Sequence, residues 1–299
     1  MSRTGLDAIA DANGRFAVLA MDQRGTLRRM LTAAGKRAED ADLQSFKVDV
    51  ISALAPLSSG VLTDVEYGVP AVRAAGAIPD GVGLLIAAEP VEKEKWNGEY
   101  RNVRDAVRSA SWVRENTGDA VKFLVYWQPD RVAKDGEPDL AAETMDVVRA
   151  VVEDCRAEGV PSVIEPLVSF APGHTPSDSE RFESVILSAK RLATLNPDLL
   201  KLEWPGGADG CKRVSDELGH VPWALLSAGV GYEAFVERCV TALDNGASGI
   251  IAGRAIWKEA VDLDGDERRA FLADVAVPRL QGLVDVLSKH GKSWQEVAG

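Results

Sequence analysis

The chain of 299 residues contains only three cysteines and three histidines, and it has no long apolar run. Three widely spaced cysteines do not make a disulfide framework, and they favour a reducing, cytoplasmic location. No apolar run approaches the roughly 20 residues that a membrane helix needs. Residues 1–11 show no secretory signal. We therefore expect a cytoplasmic protein that has no membrane partner.

Positive charge is also scarce, since 34 Lys and Arg face 46 Asp and Glu, a formal net charge of −12. A nucleic-acid-binding protein needs a basic surface to neutralise phosphates, so we expect no nucleic-acid partner. The histidines show no paired-ligand spacing of the H-E-x-x-H kind. We expect no metal and no cofactor, and a magnesium site made of Asp22, Asp64 and Glu89 is the open alternative.

A series of short apolar runs dominates the sequence. Most of the runs have consecutive apolar residues, as in strands buried on both faces, and each carries a polar residue or glycine near its C-terminal end. The runs cover residues 16–21, 60–63, 84–88, 121–127, 161–168, 199–204, 223–227 and 249–254. Amphipathic helical stripes alternate with them, for example over 140–155 and, after a capping box at Ser177 and Glu180, over 182–193.

This alternation predicts a single (β/α)₈ TIM-barrel domain over residues 1–299, because no linker or low-complexity segment interrupts it. An open doubly wound sheet is the alternative. That fold would have a glycine-rich turn after an early strand, whereas residues 21–25 read Met-Asp-Gln-Arg-Gly. The active site of a parallel barrel lies at the C-terminal ends of its strands. Polar residues in and after the runs are therefore the functional candidates.

Two lysines lie inside the fourth and sixth runs, Lys122 and Lys201. Burial favours the neutral amine, which attacks a ketone to form a Schiff base. Alternate strands contribute side chains to one interior layer, so the two lysines can approach each other. Glu165 on the fifth run can shuttle protons, and Asp22 at the end of the first run faces them. Buried ion pairs that only stabilise the barrel are the alternative, but the set together indicates catalysis.

The seventh and eighth runs are followed by residues suited to phosphate binding. Ser227 and Gly229 follow the seventh run, and Gly253 and Arg254 follow the eighth. These two loops are the usual phosphate site of a (β/α)₈ barrel, and a guanidinium adds a two-pronged contact. The alternative is that the glycines only permit tight turns and Arg254 pairs with an acid.

Six motifs in this order resemble the class I aldolases of the tagatose-1,6-bisphosphate type, and still more closely the sulfofructosephosphate aldolases of bacterial sulfoquinovose breakdown. They are LAMDQR at 19–24, VKFLV at 121–125, IEP at 164–166, LKLE at 200–203, LSAGV at 226–230 and AGRAIW at 252–257. The resemblance extends from about residue 16 to the final helix. It implies a metal-independent retro-aldol cleavage that releases dihydroxyacetone phosphate.

The resemblance also implies a role for each motif residue. Lys201 is similar to the Schiff-base lysine and Glu165 to the proton-transferring carboxylate. Asp22 and Lys122 are similar to the pair that positions substrate hydroxyls and tunes the amine. The phosphate-binding residues would be Ser227, Gly229, Gly253 and Arg254, and those that meet the far anionic end of the sugar would be Gln23 and Arg24.

The two branches of the family differ in the group at that far end. The compact connection over residues 212–221 favours the sulfosugar branch, whereas residues 22–25 and 64–68 resemble the tagatose branch. We expect cleavage of 6-deoxy-6-sulfofructose 1-phosphate to dihydroxyacetone phosphate and sulfolactaldehyde. The alternative is a tagatose- or fructose-1,6-bisphosphate aldolase, whose second product is glyceraldehyde 3-phosphate.

Two further points stay open in the sequence. A sugar-phosphate-binding barrel without catalysis is the alternative from another class of function, and either Glu165 or Asp22 would accept the C4 hydroxyl proton. We also expect a homo-oligomer.

Overall fold

Eight parallel strands close into a barrel in the computed structural model, which describes residues 4–299. The barrel strands are β1 (Phe16–Met21), β2 (Gly60–Thr63), β3 (Gly83–Ala87), β6 (Ala120–Trp127), β7 (Ser162–Val168), β8 (Leu199–Leu202), β9 (Trp223–Leu226) and β10 (Gly249–Ala252). Each pairs in parallel with its neighbours in this order, and β10 closes the barrel on β1. The predicted (β/α)₈ fold and its eight strands are confirmed.

A short antiparallel hairpin, β4 (Glu94–Trp96) and β5 (Glu99–Arg101), lies between the third and fourth barrel strands. The hairpin was not predicted from the sequence. Its strands are three residues long and mostly charged, so they lack the apolar run that identified the others.

Helices follow the barrel strands and cover the outside of the barrel. They are α1 (Gly25–Ala33), α2 (Asp40–Leu54), α3 (Val69–Ala74), α4 (Ala110–Glu115), α5 (Leu140–Glu158), α6 (Asp178–Ala193), α7 (Ala208–Leu218), α8 (Tyr232–Asp244), α9 (Arg254–Trp257), α10 (Gly265–Phe271), α11 (Val277–His290) and α12 (Trp294–Ala298). The predicted capping box at Ser177 and Glu180 is formed at the start of α6. A π-helical segment, Leu272–Ala276, separates α10 from α11, beside Pro278, which cannot donate a backbone hydrogen bond.

Two apolar clusters hold the barrel together. The larger one fills the space between the strands and the surrounding helices, and the smaller one fills the barrel interior. The interior cluster contains one alternating set of strand residues, among them Val18 and Ala20 on β1 and Ala87 on β3. Within residues 4–299, no helix combines the length and the apolar character needed to cross a membrane.

Candidate active site

On five of the eight barrel strands, the inward-facing set of residues ends in a charged residue that lines the C-terminal mouth of the barrel. Two positions after an apolar residue of the interior cluster come Asp22 after Ala20, Glu89 after Ala87, Lys122 after Ala120, Glu165 after Val163, and Lys201 after Leu199. The period-two alternation of strands directs these side chains the same way as the apolar residues beneath them. All five line one cavity of about 590 Å³.

Glu165 joins the two predicted lysines. Its Oε1 lies 2.9 Å from Lys201 Nζ, and its Oε2 lies 2.9 Å from Lys122 Nζ. Both lysines are buried, with 1% exposure for Lys122 and 4% for Lys201, yet both reach the cavity. The expectation that alternate strands bring these lysines together is therefore confirmed, and the carboxylate of the intervening strand is the link.

Lys122 lies among three carboxylates. Besides Glu165, its Nζ lies 2.9 Å from Asp22 Oδ2 and 3.2 Å from Glu89 Oε1. Burial alone would lower the pKa of Lys122, but the three negative charges outweigh it and raise the pKa well above its usual value. The expectation that burial favours the neutral amine is wrong for Lys122, because three carboxylates are buried with it and stabilise the ammonium.

Two carboxylates of this cluster, Asp22 and Glu165, are held ionised in turn. Burial opposes the charge of Asp22, but Lys122 and Lys201 bring its pKa well below the usual value. The same two lysines lower the pKa of Glu165 against the effect of burial. A carboxylate that is charged and in contact with an amine is suited to accept and return protons.

Arg24, which we expect at the far anionic end of a substrate, lies between two carboxylates at the cavity wall. It lines the cavity, but its Nη2 donates to Glu89 Oε1 at 2.8 Å and its Nη1 lies 3.4 Å from Glu66 Oε2. Glu66 is also paired with Arg108. Arg24 therefore also supports Glu89, which in turn contacts Lys122.

Lys47, which the sequence did not single out as functional, fixes the loop that carries Asp22. Its Nζ donates to the carbonyls of Met21 at 2.6 Å and Gln23 at 2.9 Å, and it forms an ion pair with Asp64 at 2.6 Å. Asp64 is fully buried outside the cavity, so the alternative magnesium site is not assembled as expected.

Gln23 follows Asp22 on the same loop and lines the cavity. Within the described part of the chain, residues 4–299, its Oε1 is buried and has no hydrogen-bond partner. An unpartnered buried acceptor costs free energy, and this one lies next to Asp22, which contacts Lys122.

The loops after the seventh and eighth barrel strands border the same cavity. Ser227, Gly253 and Arg254 line it, and Gly229 lies directly behind Arg254. Gly253 is required because a Cβ there would lie 2.3 Å from the Ala20 carbonyl oxygen. Gly229 has a left-handed φ of +80°, so its turn also favours glycine. Across residues 4–299, no carboxylate pairs with Arg254, so the alternative of a merely structural ion pair is not realised.

Several cavity residues were not identified from the sequence. They are Arg29 on α1, Lys93 and Lys95 at the hairpin, and the stacked pair Tyr100 and Tyr126, whose ring centroids lie 4.4 Å apart. Tyr126 continues the inward set of Lys122 and Leu124 along β6, so the alternation beyond Lys122 was a usable signal. The hairpin residues gave no such signal, because they lie outside the barrel strands.

Glu203 lines the cavity two positions after Lys201, in the same alternation phase of the strand. Its Oε2 accepts from the backbone amide of Val168 at 2.7 Å, and its Oε1 accepts from Arg181 at 3.0 Å. Burial raises the pKa of Glu203 above its usual value. These contacts give it a structural role at the rim.

Comparison with known protein families gives one match that covers most of the chain. The family described as "DeoC/LacD family aldolase" matches residues 16–259. The matched region includes every charged residue of the cavity cluster.

Two curated relatives match over nearly their whole length. A tagatose 1,6-diphosphate aldolase of Listeria monocytogenes is 31% identical, over 97% of this chain and 92% of the relative. Tagatose 1,6-diphosphate aldolase 2 of Streptococcus agalactiae is 28% identical, over 98% of this chain and 97% of the relative.

Solved structures with this fold include two fructose-bisphosphate aldolases. An archaeal fructose 1,6-bisphosphate aldolase superposes with a TM-score of 0.66 at 17% identity, covering 94% of this chain and 96% of that one. The fructose-bisphosphate aldolase of Plasmodium falciparum superposes with a TM-score of 0.69 at 14% identity, covering 96% and 95%. At such low identity, these likenesses concern the fold.

Proposed function

The chain belongs to the DeoC/LacD family of aldolases, and from this premise we propose that it cleaves a ketohexose 1,6-bisphosphate through a Schiff base on Lys201. The products would be dihydroxyacetone phosphate and glyceraldehyde 3-phosphate. The named relatives act on tagatose 1,6-diphosphate, which supports this substrate class. The observation that carries the mechanism is the Glu165 carboxylate shared by Lys201 and Lys122 at the cavity wall.

The first step is attack on the C2 ketone by the neutral amine of Lys201. Glu165 accepts the ammonium proton across the 2.9 Å contact, and it returns a proton when the carbinolamine loses water. Lys122 stays charged beside Glu165 and Asp22, so it favours the ionised carboxylate that this exchange needs.

In the second step, the C4 hydroxyl loses its proton and the C3–C4 bond breaks. The bonding electrons move into the protonated imine, and the aldehyde leaves. Protonation of the enamine at C3 and hydrolysis then release dihydroxyacetone phosphate and free Lys201. Glu165 and Asp22 both line the cavity as ionised carboxylates, and either can accept the C4 proton.

We propose that the C1 phosphate binds at the loops after the seventh and eighth barrel strands. Ser227 contributes a hydroxyl, Gly253 a close backbone approach, and Arg254 an uncompensated guanidinium. Gly229 permits the turn that places its loop against Arg254. Gln23, which also lines the cavity, would contact a hydroxyl of the sugar.

The sulfofructose phosphate substrate stays a second proposal. The connection between the sixth and seventh barrel strands is a single short helix, α7, which agrees with the compactness that favoured this branch. No named relative supports it, and the homo-oligomer and the cytoplasmic location also stay predictions.

Borohydride reduction in the presence of dihydroxyacetone phosphate tests the mechanism. We expect one permanent adduct that mass spectrometry maps to Lys201. In Lys201→Met, the adduct should disappear and kcat should fall by about 10⁴-fold or more. Lys134→Met, which removes an exposed lysine outside the cavity, is the matched control.

Three other outcomes would contradict the proposal. Activity that is lost to a chelator, with no lysine trapped, would indicate a metal-dependent aldolase. Calorimetric binding of ketose phosphates without any triose phosphate in a coupled assay would indicate a binding barrel without catalysis. Turnover of 6-deoxy-6-sulfofructose 1-phosphate well above that of tagatose and fructose 1,6-bisphosphates would select the sulfosugar substrate.

A further inference from the structure

The β4–β5 hairpin gives the cavity a second cationic wall. We propose that Lys93 and Lys95 bind the anionic group at C6 of the substrate, a tetrahedral oxyanion that is either a phosphate monoester or a sulfonate. This inference rests on the proposed function and adds the residues that select a doubly anionic sugar.

The barrel topology places this wall opposite the proposed C1 phosphate site. In a closed barrel of eight strands, the gap between the third and fourth strands lies across the mouth from the gap between the seventh and eighth. Lys93 and Lys95 belong to the first gap, and Ser227 and Arg254 border the second. A ketohexose with an anion at each end can therefore span the cavity and present its carbonyl to Lys201 between them.

The cations of the cavity wall fall into two groups, those that form an ion pair with a carboxylate and those that do not. Arg24, Lys122 and Lys201 each have a carboxylate within 4 Å. Within residues 4–299, neither Lys93 nor Lys95 forms an ion pair with a carboxylate, although both line the cavity. Cations that are paired with carboxylates hold the catalytic cluster together. An ammonium that has no such partner gains most from an incoming anion, above all that of Lys93, which is half-buried, whereas Lys95 is exposed.

The hairpin is held in place over the cavity by contacts on both sides. Lys95 pairs with Tyr100 across the hairpin, and its Nζ lies 4.6 Å from the centroid of that ring. Tyr100 stacks on Tyr126 of the fourth barrel strand. On the outer side, Glu99 accepts from Arg131 at 2.7 Å. A fixed cationic wall loses little entropy when the anion binds.

The electrostatics of Lys93 agree with this role. Burial lowers the pKa of Lys93 to about 8. Among the charged groups that act on it, Glu89 and Glu165 favour the ammonium, and Lys122 and Arg24 oppose it. Below that pKa, the ammonium is present and binds an anion. Above it, the free amine loses this attraction, so affinity for the C6 anion should fall.

The test compares two substrates of one enzyme, the ketose 1,6-bisphosphate that the wild type cleaves and the matching ketose 1-phosphate. In the double variant Lys93→Met/Lys95→Met, the ratio of their kcat/KM values should fall by about 10- to 100-fold. Lys93→Arg should keep most of the ratio, since the charge is retained, and Lys134→Met is the control for loss of an exposed lysine.

Two further measurements support the assignment or overturn it. The wild-type ratio should fall as the pH rises through about 8, and the double variant should lose this dependence. Repeating the series with 6-deoxy-6-sulfofructose 1-phosphate shows which oxyanion the wall prefers, because the same variants should weaken whichever substrate the wild type favours.

The inference is overturned if the folded double variant still forms the Lys201 adduct and keeps its substrate ratio within about twofold of the wild type. In that case the aldolase proposal stands, and the C6 anion binds elsewhere. If the wild type itself traps no lysine and cleaves no ketose phosphate, the proposed function fails, and this inference fails with it.

Discussion

Two buried lysine–carboxylate groups lie next to each other at the mouth of the barrel. The pKa of the lysine is lowered in one group and raised in the other. Lys47 and Asp64 form a closed pair, both with 0% exposure, beneath the loop after β1. Lys122 lies in an open cluster with Asp22, Glu89 and Glu165, and all four line the cavity.

The difference arises from the number of carboxylates and from access. Lys47 directs its hydrogen bonds to two backbone carbonyls and has one carboxylate, so burial prevails and lowers its pKa. Lys122 has three carboxylates, which overcome burial and raise its pKa. A buried lysine beside an acid is therefore no sign of catalysis by itself. The open cluster differs because Glu165 also contacts a second amine, Lys201, at a cavity.

Among the substitutions that test this contrast, Lys122→Met, which breaks the open cluster, should change activity most. Three carboxylates would lose their shared cation, so the pKa values of Asp22 and Glu165 should rise. We expect kcat to fall by about 10²- to 10⁴-fold and the acid limb of the pH–rate profile to move to higher pH. Borohydride should still trap Lys201. A kcat and pH profile matching those of Lys134→Met would contradict the assignment.

Breaking the closed pair should affect stability first. Lys47→Met leaves Asp64 buried without a counter-charge, and this should lower the free energy of unfolding by about 3–5 kcal/mol. Urea unfolding with activity measured in parallel would check it. The double variant Lys47→Met/Asp64→Asn removes the orphaned charge and should recover part of the loss. A single-variant loss below about 1 kcal/mol would show that the pair is not a structural element.

The smallest expected effect is on the free energy of unfolding at alkaline pH. The contributions of Lys47 and Lys122 to this free energy change with pH in opposite directions. The folded state lowers the pKa of Lys47, so between that pKa and about 10.4 the unfolded chain binds more protons than the folded one. The contribution of Lys47 to the free energy of unfolding therefore rises with pH over this range. Since the folded state raises the pKa of Lys122, its contribution is complete below about 10.4 and is lost only as pH rises through the higher folded value.

Urea titrations at about pH 8 and about pH 10 would measure this contrast. The stability gap between the wild type and Lys47→Met should widen by on the order of 1 kcal/mol for each unit by which the pKa is lowered. The gap for Lys122→Met should not widen. If the stability differences for the two variants changed equally between these pH values, the two lysines would not differ in electrostatic environment, and the contrast would be wrong.

Most of the barrel was predictable because its strands are buried on both faces. Runs such as Phe16–Met21 and Gly60–Thr63 have the observed bounds, since a closed parallel barrel leaves no polar alternation to obscure them. The β4–β5 hairpin escaped because charged, exposed strands have no such pattern. The π-helical segment before Pro278 was not predicted either.

The sequence by itself determined the fold and the charged residues that the barrel mouth would contain, because strand order and alternation fix which side chains share its interior. Only the tertiary structure decided how those charges pair. It placed Lys47 with Asp64, turned Arg24 towards Glu89 and, within residues 4–299, gave Lys93 no ion pair at the cavity wall. Ion pairing depends on distances of a few ångströms between residues far apart in the chain, and local sequence carries no record of those distances.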